Sequence, residues 1–518
     1  MAPERIIVVG SGMGGLSAAL YLSGRGHDIE VFEAAATPGG KMRTLPSAAG
    51  PVDAGPTVLT LRGVFDDLFR EAGLRLEDHA TLEREPVLAR HFWPDGGTLD
   101  LFDDPDRSAE AIAAFSGTRA AAQFRRFHEE TLRLFRAFDA PVLRAAQPSL
   151  PALAVRVAAD PALLRAMAPL SSLAAHLGRR FDDPRLAQLF GRYATYVGGM
   201  PHRVPALLGL VCQAEAQGVW RVAGGMHALA GAMAEAVERL GGRIRLGRAV
   251  ARIEPGVGVI LSDGTCVPAD RVVFNGDPRA LRTGLLGAAV RDAVRPSGTE
   301  PRSLSAEVWA FAATPAGRDL HHHNVLFGAD PETEFAPLSA GGVPVDPTVY
   351  ICAQDRGTGR TPPPIERFET IVNAAPLPPD RPDTQEHCPC FDRTFALLAE
   401  RGLSFAQPPK PAARTTPAGF AALFPGSLGS LYGRSPRGSM ATFQRPGART
   451  RVPGLYLAGG GVHPGPGVPM AALSGRHAAE AIINDRTSTS TFRRTDTPGG
   501  MSTGSATTDR APFRSSGS

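Results

Sequence analysis

A run of glycines directly behind a short apolar segment constrains this chain more than any other feature of its sequence. Residues 5–9 are typical of a buried parallel strand, and the small apolar residues after the glycines are typical of a helix. The glycines between them follow the order G-x-G-x-x-G, with one more inside it: Gly10, Gly12, Gly14 and Gly15. In such a turn the backbone comes close to a pyrophosphate, and the helix dipole attracts the phosphate charge. The stretch therefore predicts a dinucleotide-binding strand, turn and helix, although a glycine turn without a ligand has the same local pattern.

An acid follows at the spacing that this interpretation needs. Residues 27–33 predict a second strand that ends in Glu33, about 20 residues beyond the glycines. A carboxylate there accepts hydrogen bonds from a ribose diol and repels a 2′-phosphate, so it favours FAD or NAD over NADP, and a solvated strand end is the alternative. Gly40 then precedes two cations, Lys41 and Arg43, which are suited to phosphate or flavin oxygens and favour FAD.

These residues carry a resemblance to a family. In the flavin-dependent amine oxidase superfamily a motif of two glycines and an arginine follows the ribose acid, and this chain resembles it, with Lys41 at the usual first arginine. Lysine keeps the charge but lacks planar bidentate geometry, so Arg43 is the stronger candidate. The resemblance implies an α/β fold with a Rossmann-like FAD-binding domain, a mixed-sheet substrate domain and a helical, membrane-facing domain.

Two later segments extend the resemblance. The helix expected at residues 228–240 and the hairpin that contains Val250 are similar to the second nucleotide-domain segment of the superfamily. Residues 452–470 predict a strand and a Gly/Pro loop before a helix at 471–483, and they are similar to the signature of bacterial-type carotenoid desaturases, with Val462 in place of its threonine. The resemblance implies flavin contacts from this loop and helix start: Gly459, Gly460, Val468, Pro469 and Met470.

The order of these segments divides the chain into six regions. We expect three segments of the FAD-binding domain, a helical substrate and membrane-facing region, a mixed-sheet substrate domain and a tail. The tail is rich in Ser, Thr, Gly and Arg and has almost no large apolar residue, which predicts disorder. The expected boundaries are 1–75, 216–285 and 441–484 for the FAD-binding segments, 76–215 for the helical region, 286–440 for the mixed sheet and 485–518 for the tail.

Composition limits the class of protein and its location. A chain of 518 residues with 43% hydrophobic and 20% charged residues predicts a globular protein of two or three domains. A net charge of +4 does not indicate nucleic-acid binding. Five cysteines at scattered spacings indicate reduced thiols and a cytoplasmic location. We see no secretory signal and no run of about 18 apolar residues, so a membrane contact is expected to be peripheral.

The resemblance also implies a reaction. Strings at residues 89–96, 192–199 and 213–220 look like the branch that desaturates acyclic 1-hydroxycarotenoids at carbons 3 and 4, the methoxyneurosporene dehydrogenase branch. Forming that double bond removes a hydride, which no side chain can hold, and a proton; FAD takes the hydride, and oxygen or a quinone is expected to reoxidise it. The alternatives are a phytoene desaturase, a carotenoid isomerase, an amine or porphyrinogen oxidase, and a lipid-binding protein akin to prenyl chaperones without a catalytic flavin.

No motif assigns a catalytic residue. Candidates for the proton acceptor are His91, Glu215 and His463, and for each a structural role is the more common one. A group that recognises a terminal hydroxyl is expected among Tyr193, Thr195, Tyr196 and Gln213. A membrane-facing surface is expected on the arginine-rich helices of residues 107–185.

No metal site is expected. The three histidines at residues 321–323 are predicted to form an exposed loop, because consecutive histidines do not converge on an ion without partners. Cys388 and Cys390 lack the two-residue spacer of zinc and redox motifs.

Overall fold

A five-stranded parallel sheet joins three distant parts of the chain. In this computed structural model, which describes residues 4–357, 359–380, 390–407, 409–438 and 441–492, the first strand lies at the centre of that sheet. The other four strands come from later segments, so the complete sheet depends on contacts between residues far apart in the sequence. The strand order is Leu455–Leu457, Arg271–Phe274, Arg5–Val9, Asp28–Phe32 and Arg243–Arg245.

Three helices cover this sheet, and the first is buried on every side. Met13–Ser23 has no exposed residue, which is possible because its apolar residues run all round the helix. It packs between Met226–Arg239 and the final helix, Val468–Phe492. A Cβ at Gly475 of the final helix would lie 2.0 Å from the carbonyl oxygen of Gly14, so the two helices touch through bare backbone.

The final helix extends further than the sequence predicts. Its end was expected at residue 483 and the disordered tail at 485, but the helix continues to Phe492. Asp485 holds the helix at the expected boundary, because its carboxylate accepts hydrogen bonds from the Tyr456 hydroxyl at 2.8 Å and from Arg449. The rest of the expected tail, residues 493–518, lies outside the described residues, as do Cys388 and its neighbour Pro389.

A seven-stranded mixed sheet forms the second layer of the molecule. The segment expected to be helical, 76–215, also supplies two of its strands, which is a correction. Val87–Phe92 is buried except at its half-buried first and fourth residues, and it pairs in parallel with His323–Leu326. All other pairings in this sheet are antiparallel. The strand order is Arg414–Thr415, Ser305–Ala313, Glu366–Ala374, Val349–Ala353, His323–Leu326, Val87–Phe92 and Thr98–Phe102.

A helical region covers one face of the mixed sheet. Several of its helices begin with an aspartate whose carboxylate accepts from backbone N–H groups, followed by a proline, as at Asp104, Asp160 and Asp183. Stacked and edge-on phenylalanines fill its interior. The helices are Pro105–Ser116, Thr118–Phe138, Leu150–Ala159, Pro161–Met167, Leu173–Arg180, Pro184–Gly191 and Cys212–Ala216.

Smaller elements connect these layers. A three-stranded antiparallel sheet follows Arg243–Arg245, the edge strand of the parallel sheet. Its strands are Val250–Glu254, Gly258–Leu261 and Cys266–Pro268. Strand pairs are Thr44–Leu45 with Val52–Asp53, Leu82–Glu85 with Val219–Val222, and Pro315–Gly317 with Leu403–Phe405. The other helices are Gly63–Glu71, Pro278–Arg282, Pro331–Ser339, Cys390–Glu400 and Pro417–Leu423. Among the described helices, none combines the length and the apolarity that crossing a membrane requires.

Candidate cofactor and substrate site

The predicted glycine turn lies at the carboxyl end of the central strand. Gly10 has a φ of +96°, a conformation that favours glycine, and its N–H donates to the Phe32 carbonyl of the neighbouring strand at 2.8 Å. A Cβ at Gly15 would lie 2.1 Å from the Gly10 carbonyl oxygen. The turn therefore tolerates no side chain at these positions, and it leads directly into the N-terminus of the first helix, where an anion is favoured.

The third FAD-binding segment meets this turn. A Cβ at Gly14 would lie 2.5 Å from the backbone nitrogen of Gly459, and one at Gly12 would lie 2.9 Å from Nδ2 of Asn275. Asn275 follows the strand Arg271–Phe274, and its amide donates to the Gly10 carbonyl at 3.2 Å. The structure thus brings together glycines that the sequence assigns to one site, and it adds Asn275, for which the sequence has no signal.

Glu33 lies beside the glycine turn. One carboxylate oxygen accepts from the backbone N–H and the hydroxyl of Ser11, at 2.7 and 2.8 Å, and the other accepts from the Ala35 N–H at 2.8 Å. Gly40 adjoins the same turn, because a Cβ on it would lie 3.1 Å from Cα of Gly12. Glu33 stays half-buried, so a ribose diol could still reach this acceptor. Bare backbone and an acceptor at this spacing fit a bound dinucleotide.

The strand that contains Val250 starts close to Glu33. The Arg248 N–H donates to the Glu33 carbonyl at 2.7 Å, and the Gly247 N–H donates to the Ala35 carbonyl at 2.9 Å. Val250 then pairs with Leu261 in the three-stranded sheet. This position is compatible with the expected cofactor contact of Val250, which stays a prediction.

Lys41 makes its contact away from the glycine turn. Its ammonium donates to the Leu431 carbonyl and lies 5.4 Å from the centre of the Phe424 ring. Burial lowers the pKa of Lys41 to about 8. Its expected contact with phosphate or flavin oxygens stays a prediction.

Arg43 points toward the mixed sheet. Its guanidinium donates to the Thr415 hydroxyl at 2.5 Å, and its Nε has no partner among the described residues. Near it the fully buried Glu369 also lacks a hydrogen-bond partner within the described part of the chain. Burial, and then the charge of Asp53, raise the pKa of Glu369 well above its ordinary value, and Arg43 opposes that shift.

The C-terminal loop is fixed to the final helix. The Gly459 N–H donates to the Ser474 hydroxyl at 2.7 Å, and the Gly460 carbonyl accepts from Arg445 at 3.2 Å. The final helix begins with the three residues predicted to contact the cofactor, of which the first two are buried and the third is half-buried: Val468, Pro469 and Met470. Ser474 and Arg445 were not identified from the sequence.

The candidate proton acceptors differ in how their polar atoms are used. The Glu215 carboxylate accepts from the Tyr193 hydroxyl at 2.7 Å, and Nε2 of His463 bonds to the Ala145 carbonyl at 2.9 Å. His91 is fully buried, and its Nδ1 lies 3.1 Å from the Leu99 carbonyl. Burial lowers the pKa of His91 to about 3, so its ring is neutral and its Nε2 has no partner among the described residues.

The candidates for hydroxyl recognition also differ in the contacts that they make. The Thr195 hydroxyl donates to the Arg192 carbonyl at 2.8 Å, and the Gln213 amide donates to the Thr131 hydroxyl at 2.8 Å, so both are engaged within the helical region. Tyr196 is half-buried, and the Arg192 guanidinium carbon lies 4.8 Å from its ring centre. Arg192 itself was not identified from the sequence.

The expectation of an exposed histidine loop at residues 321–323 is wrong. His322 and His323 are buried, because His323 opens a strand that lies between two others in the mixed sheet. Nε2 of His322 lies 3.6 Å from the Cys352 sulfur, and its Nδ1 lies 2.8 Å from the Arg356 carbonyl. Nitrogen and sulfur atoms of His322, His323 and Cys352 thus lie within 4.8 Å of one another. That no metal binds stays a prediction.

Comparison with known proteins matches this geometry to a family. The pattern of flavin containing amine oxidoreductases matches residues 13–311, which include Gly14 and Gly15 of the glycine turn, Glu33 and Asn275. The chain belongs to the flavin containing amine oxidoreductase family. FAD is therefore its cofactor, and the Rossmann-like unit and mixed sheet are those expected for the family.

Three relatives span almost the whole chain of this family member. Hydroxyneurosporene desaturase of Cereibacter sphaeroides is 53% identical and covers 94% of the chain and 99% of its own length. The protein of the same name from Rhodobacter capsulatus is 51% identical over 93% of the chain and 98% of its own length. A phytoene dehydrogenase of Streptomyces griseus is 31% identical over 93% and 96%. The chain is thus also similar to carotenoid desaturases along its full length.

Solved structures agree with the fold of the family. An oxidoreductase from Methanosarcina mazei has a TM-score of 0.58 at 17% identity and covers 93% of this chain and 100% of its own. A putrescine oxidase has a TM-score of 0.58 at 16% identity and covers 93% and 99%. At these identities the likeness concerns the fold alone.

Proposed function

We propose that this chain is an FAD-dependent desaturase that introduces the C3–C4 double bond into acyclic 1-hydroxycarotenoids. The observation that carries the proposal is the identity of 53% to a hydroxyneurosporene desaturase over 94% of the chain. The phytoene dehydrogenase relative is far less similar, at 31%. A phytoene desaturase is therefore the second candidate.

The protein's own residues bind the cofactor and keep water out. Glu33 supplies a ribose acceptor, and the bare backbone around Gly10 and Gly14 leaves room for the pyrophosphate at a helix N-terminus. Bound FAD supplies a two-electron acceptor for the hydride. Removal of the matching proton requires an acceptor near the substrate. Of the three candidates His91 has a buried nitrogen without a partner among the described residues, but burial lowers its pKa to about 3, which makes it a weak base.

An apolar pocket supports a hydrocarbon substrate. A pocket of about 410 Å³ lies between the strands Val87–Phe92 and Thr98–Phe102 and the helical region. Leucine and phenylalanine side chains form much of its wall, among them Leu88, Leu101, Phe124, Phe127 and Phe190. Its polar groups belong to Asp103, Ser108, His128, Tyr193 and Gln213. The apolar part of this lining suits a polyene.

We also propose that the enzyme is cytoplasmic and contacts a membrane peripherally through residues 150–170. Large apolar side chains on two helices and in the turn that follows them face solvent, at 41%, 71%, 47% and 103% exposure: Leu150, Val155, Leu164 and Leu170. Arg156 and Arg165 lie among them and suit lipid phosphates. A carotenoid dissolves in bilayers, so such a surface would lie where the substrate enters.

Charged substitutions test this surface. Val155→Glu and Leu170→Glu should each lower binding to anionic liposomes about tenfold or more, because an apolar side chain would no longer be buried in lipid. Val257→Glu, at an exposed hairpin of the three-stranded sheet, is the matched control. If all three variants bind liposomes as tightly as the parent protein does, residues 150–170 are not the membrane contact.

Competition between substrates tests the activity. Purified enzyme in liposomes should convert 1-hydroxyneurosporene faster than phytoene, with a red shift of product absorption that an isomerase would not produce. Equal or faster conversion of phytoene would return the chain to the phytoene desaturase branch. A protein that binds a carotenoid but releases no FAD on denaturation would instead be a lipid carrier.

A further inference from the structure

Buried polar atoms without partners lie between the mixed sheet and the helical region. Arg192 and His323 are both more than nine-tenths buried. Among the described residues no hydrogen-bond partner is found for Nε and Nη2 of Arg192 or for Nε2 of His323. Buried polar groups in proteins are nearly always paired. Arg192 can only donate, and Nε2 of His323 accepts in the tautomer that carries the ring proton on Nδ1, so in that tautomer the unpaired atoms are of opposite hydrogen-bonding type and indicate a ligand.

His323 belongs to a hydrogen-bond chain that leads to the cofactor segment. Its Nδ1 lies 2.7 Å from the Tyr350 hydroxyl, which lies 2.7 Å from the Thr57 hydroxyl. Thr57 follows Gly55 by two residues, and a Cβ at Gly55 would lie 1.8 Å from the carbonyl oxygen of Lys41. The unpaired nitrogen of His323 is thus linked, through two hydroxyls, to the loop packed on the residues that follow Glu33.

Arg192 approaches the same place from the helical region. Its guanidinium carbon lies 4.8 Å from the Tyr196 ring centre and 5.6 Å from that of Tyr193. His323 and His91 point to one face of the mixed sheet, because His91 pairs with Val325, two residues after His323. Burial, then the charge of His322 and then that of Arg192 lower the pKa of His323, and burial and then Arg192 lower the pKa of His91, so the guanidinium lies within electrostatic range of both rings.

The two unpaired groups complement a hydroxyl. A guanidinium N–H can only donate, whereas an unprotonated imidazole nitrogen accepts, and an alcohol does both at once. In an acyclic 1-hydroxycarotenoid the hydroxyl carbon is two bonds from C3, so the hydroxyl must lie beside the bond that reacts. A hydroxyl site therefore has to adjoin the cofactor, as the chain through Thr57 does.

We propose that Arg192 and His323 bind the C1 hydroxyl of the substrate, with the guanidinium donating to the hydroxyl oxygen and the hydroxyl donating to Nε2 of His323. The inference rests on the proposed function and adds the residues that select the hydroxylated end. Both are positioning residues for the C3–C4 bond. A substrate that ends in a hydrocarbon leaves both groups unpaired, which penalises its binding.

The test compares two substrates that differ by one hydroxyl. The variants Arg192→Met and His323→Phe are assayed with 1-hydroxyneurosporene and with neurosporene, and kcat/KM is measured for each. We expect the ratio of the two values to fall tenfold or more in each variant, because only the hydroxylated substrate loses a bond. The control is Thr370→Val, which removes an unpaired buried hydroxyl from the opposite face of the same sheet.

Other outcomes separate this site from the proposed function. Variants that slow both substrates by the same factor, with an unchanged ratio, would show a structural role and overturn the site. Should Arg192→Met fail to retain FAD, the ratio of the two kcat/KM values is measured in Arg192→Lys and in the parent enzyme instead. A ratio near one in the parent enzyme would overturn the site without any substitution. A parent enzyme that holds FAD but converts neither carotenoid would reject the proposed function itself.

Discussion

Replacement of Glu33 by glutamine tests how the cofactor ribose is held. The carboxylate accepts three hydrogen bonds, two from Ser11 on one oxygen and one from the Ala35 N–H on the other. Glutamine keeps only one acceptor oxygen, so whichever way its amide turns, its NH₂ group faces at least one N–H donor. The ribose would bond to this same charged acceptor, and loss of a hydrogen bond to a charged group costs about 1.5–3 kcal/mol, which corresponds to FAD binding about 10- to 150-fold weaker.

Titration of the apoprotein with FAD, followed by quenching of flavin fluorescence, measures this change. Asp28→Asn is the matched control, because Asp28 begins the strand that Glu33 directly follows, and its carboxylate pairs with Arg243 at the surface, at 2.7 Å. Glu33→Arg should abolish FAD retention, since a cation would replace the acceptor. A Glu33→Gln dissociation constant within twofold of the parent value would refute the reasoning, and so would an equal loss in Asp28→Asn.

Three further predictions concern packing, pH and the tail. Gly14→Ala should lower the free energy of unfolding by about 1–3 kcal/mol and reduce FAD content, because its Cβ would lie 2.5 Å from the Gly459 nitrogen; thermal melting and flavin absorbance measure both. Lys41 has a pKa of about 8 in the folded protein against 10.5 ordinarily, so the unfolded chain binds more protons between these values. The free energy of unfolding should therefore rise with pH from 8 to 10.5, by up to about 3 kcal/mol, and Lys41→Met should remove that rise in urea titrations; the same slope in both proteins would contradict the shift. Removal of residues 493–518 should leave FAD content and liposome binding intact, and lost liposome binding would move the membrane contact to the tail.

Local pattern predicted those parts of the site that depend on neighbouring residues. The glycine turn, the strand that ends at Glu33 and the loop around Gly459 each have a signature within a few residues. Asn275 has none, because it becomes part of the site only when its strand pairs with residues 5–9, more than 260 positions earlier. The meeting of the segments was expected from the family resemblance, whereas their atomic contacts required the fold.

The errors have the same physical origin. The histidines at 321–323 look like a polar loop, yet pairing of His323 with Cys352 and the neighbouring strand Val87–Phe92 buries the segment. Likewise Arg192 resembles the many surface arginines of the helical region until tertiary packing encloses it. A buried polar residue cannot be recognised from a short window when the groups that bury it come from distant segments.

The central position of residues 5–9 in the five-stranded sheet has a consequence for synthesis on the ribosome. One neighbouring strand is made early, but Arg271–Phe274 and Leu455–Leu457 are translated far later, and the helix that covers the glycine turn begins only at Val468. At about 5–20 residues per second, the first strand waits tens of seconds for its last partners. Nascent chains therefore emerge with an incomplete flavin pocket and apolar surface that chaperones can bind. Flavin supply at the end of translation, rather than during it, should govern the yield of active enzyme.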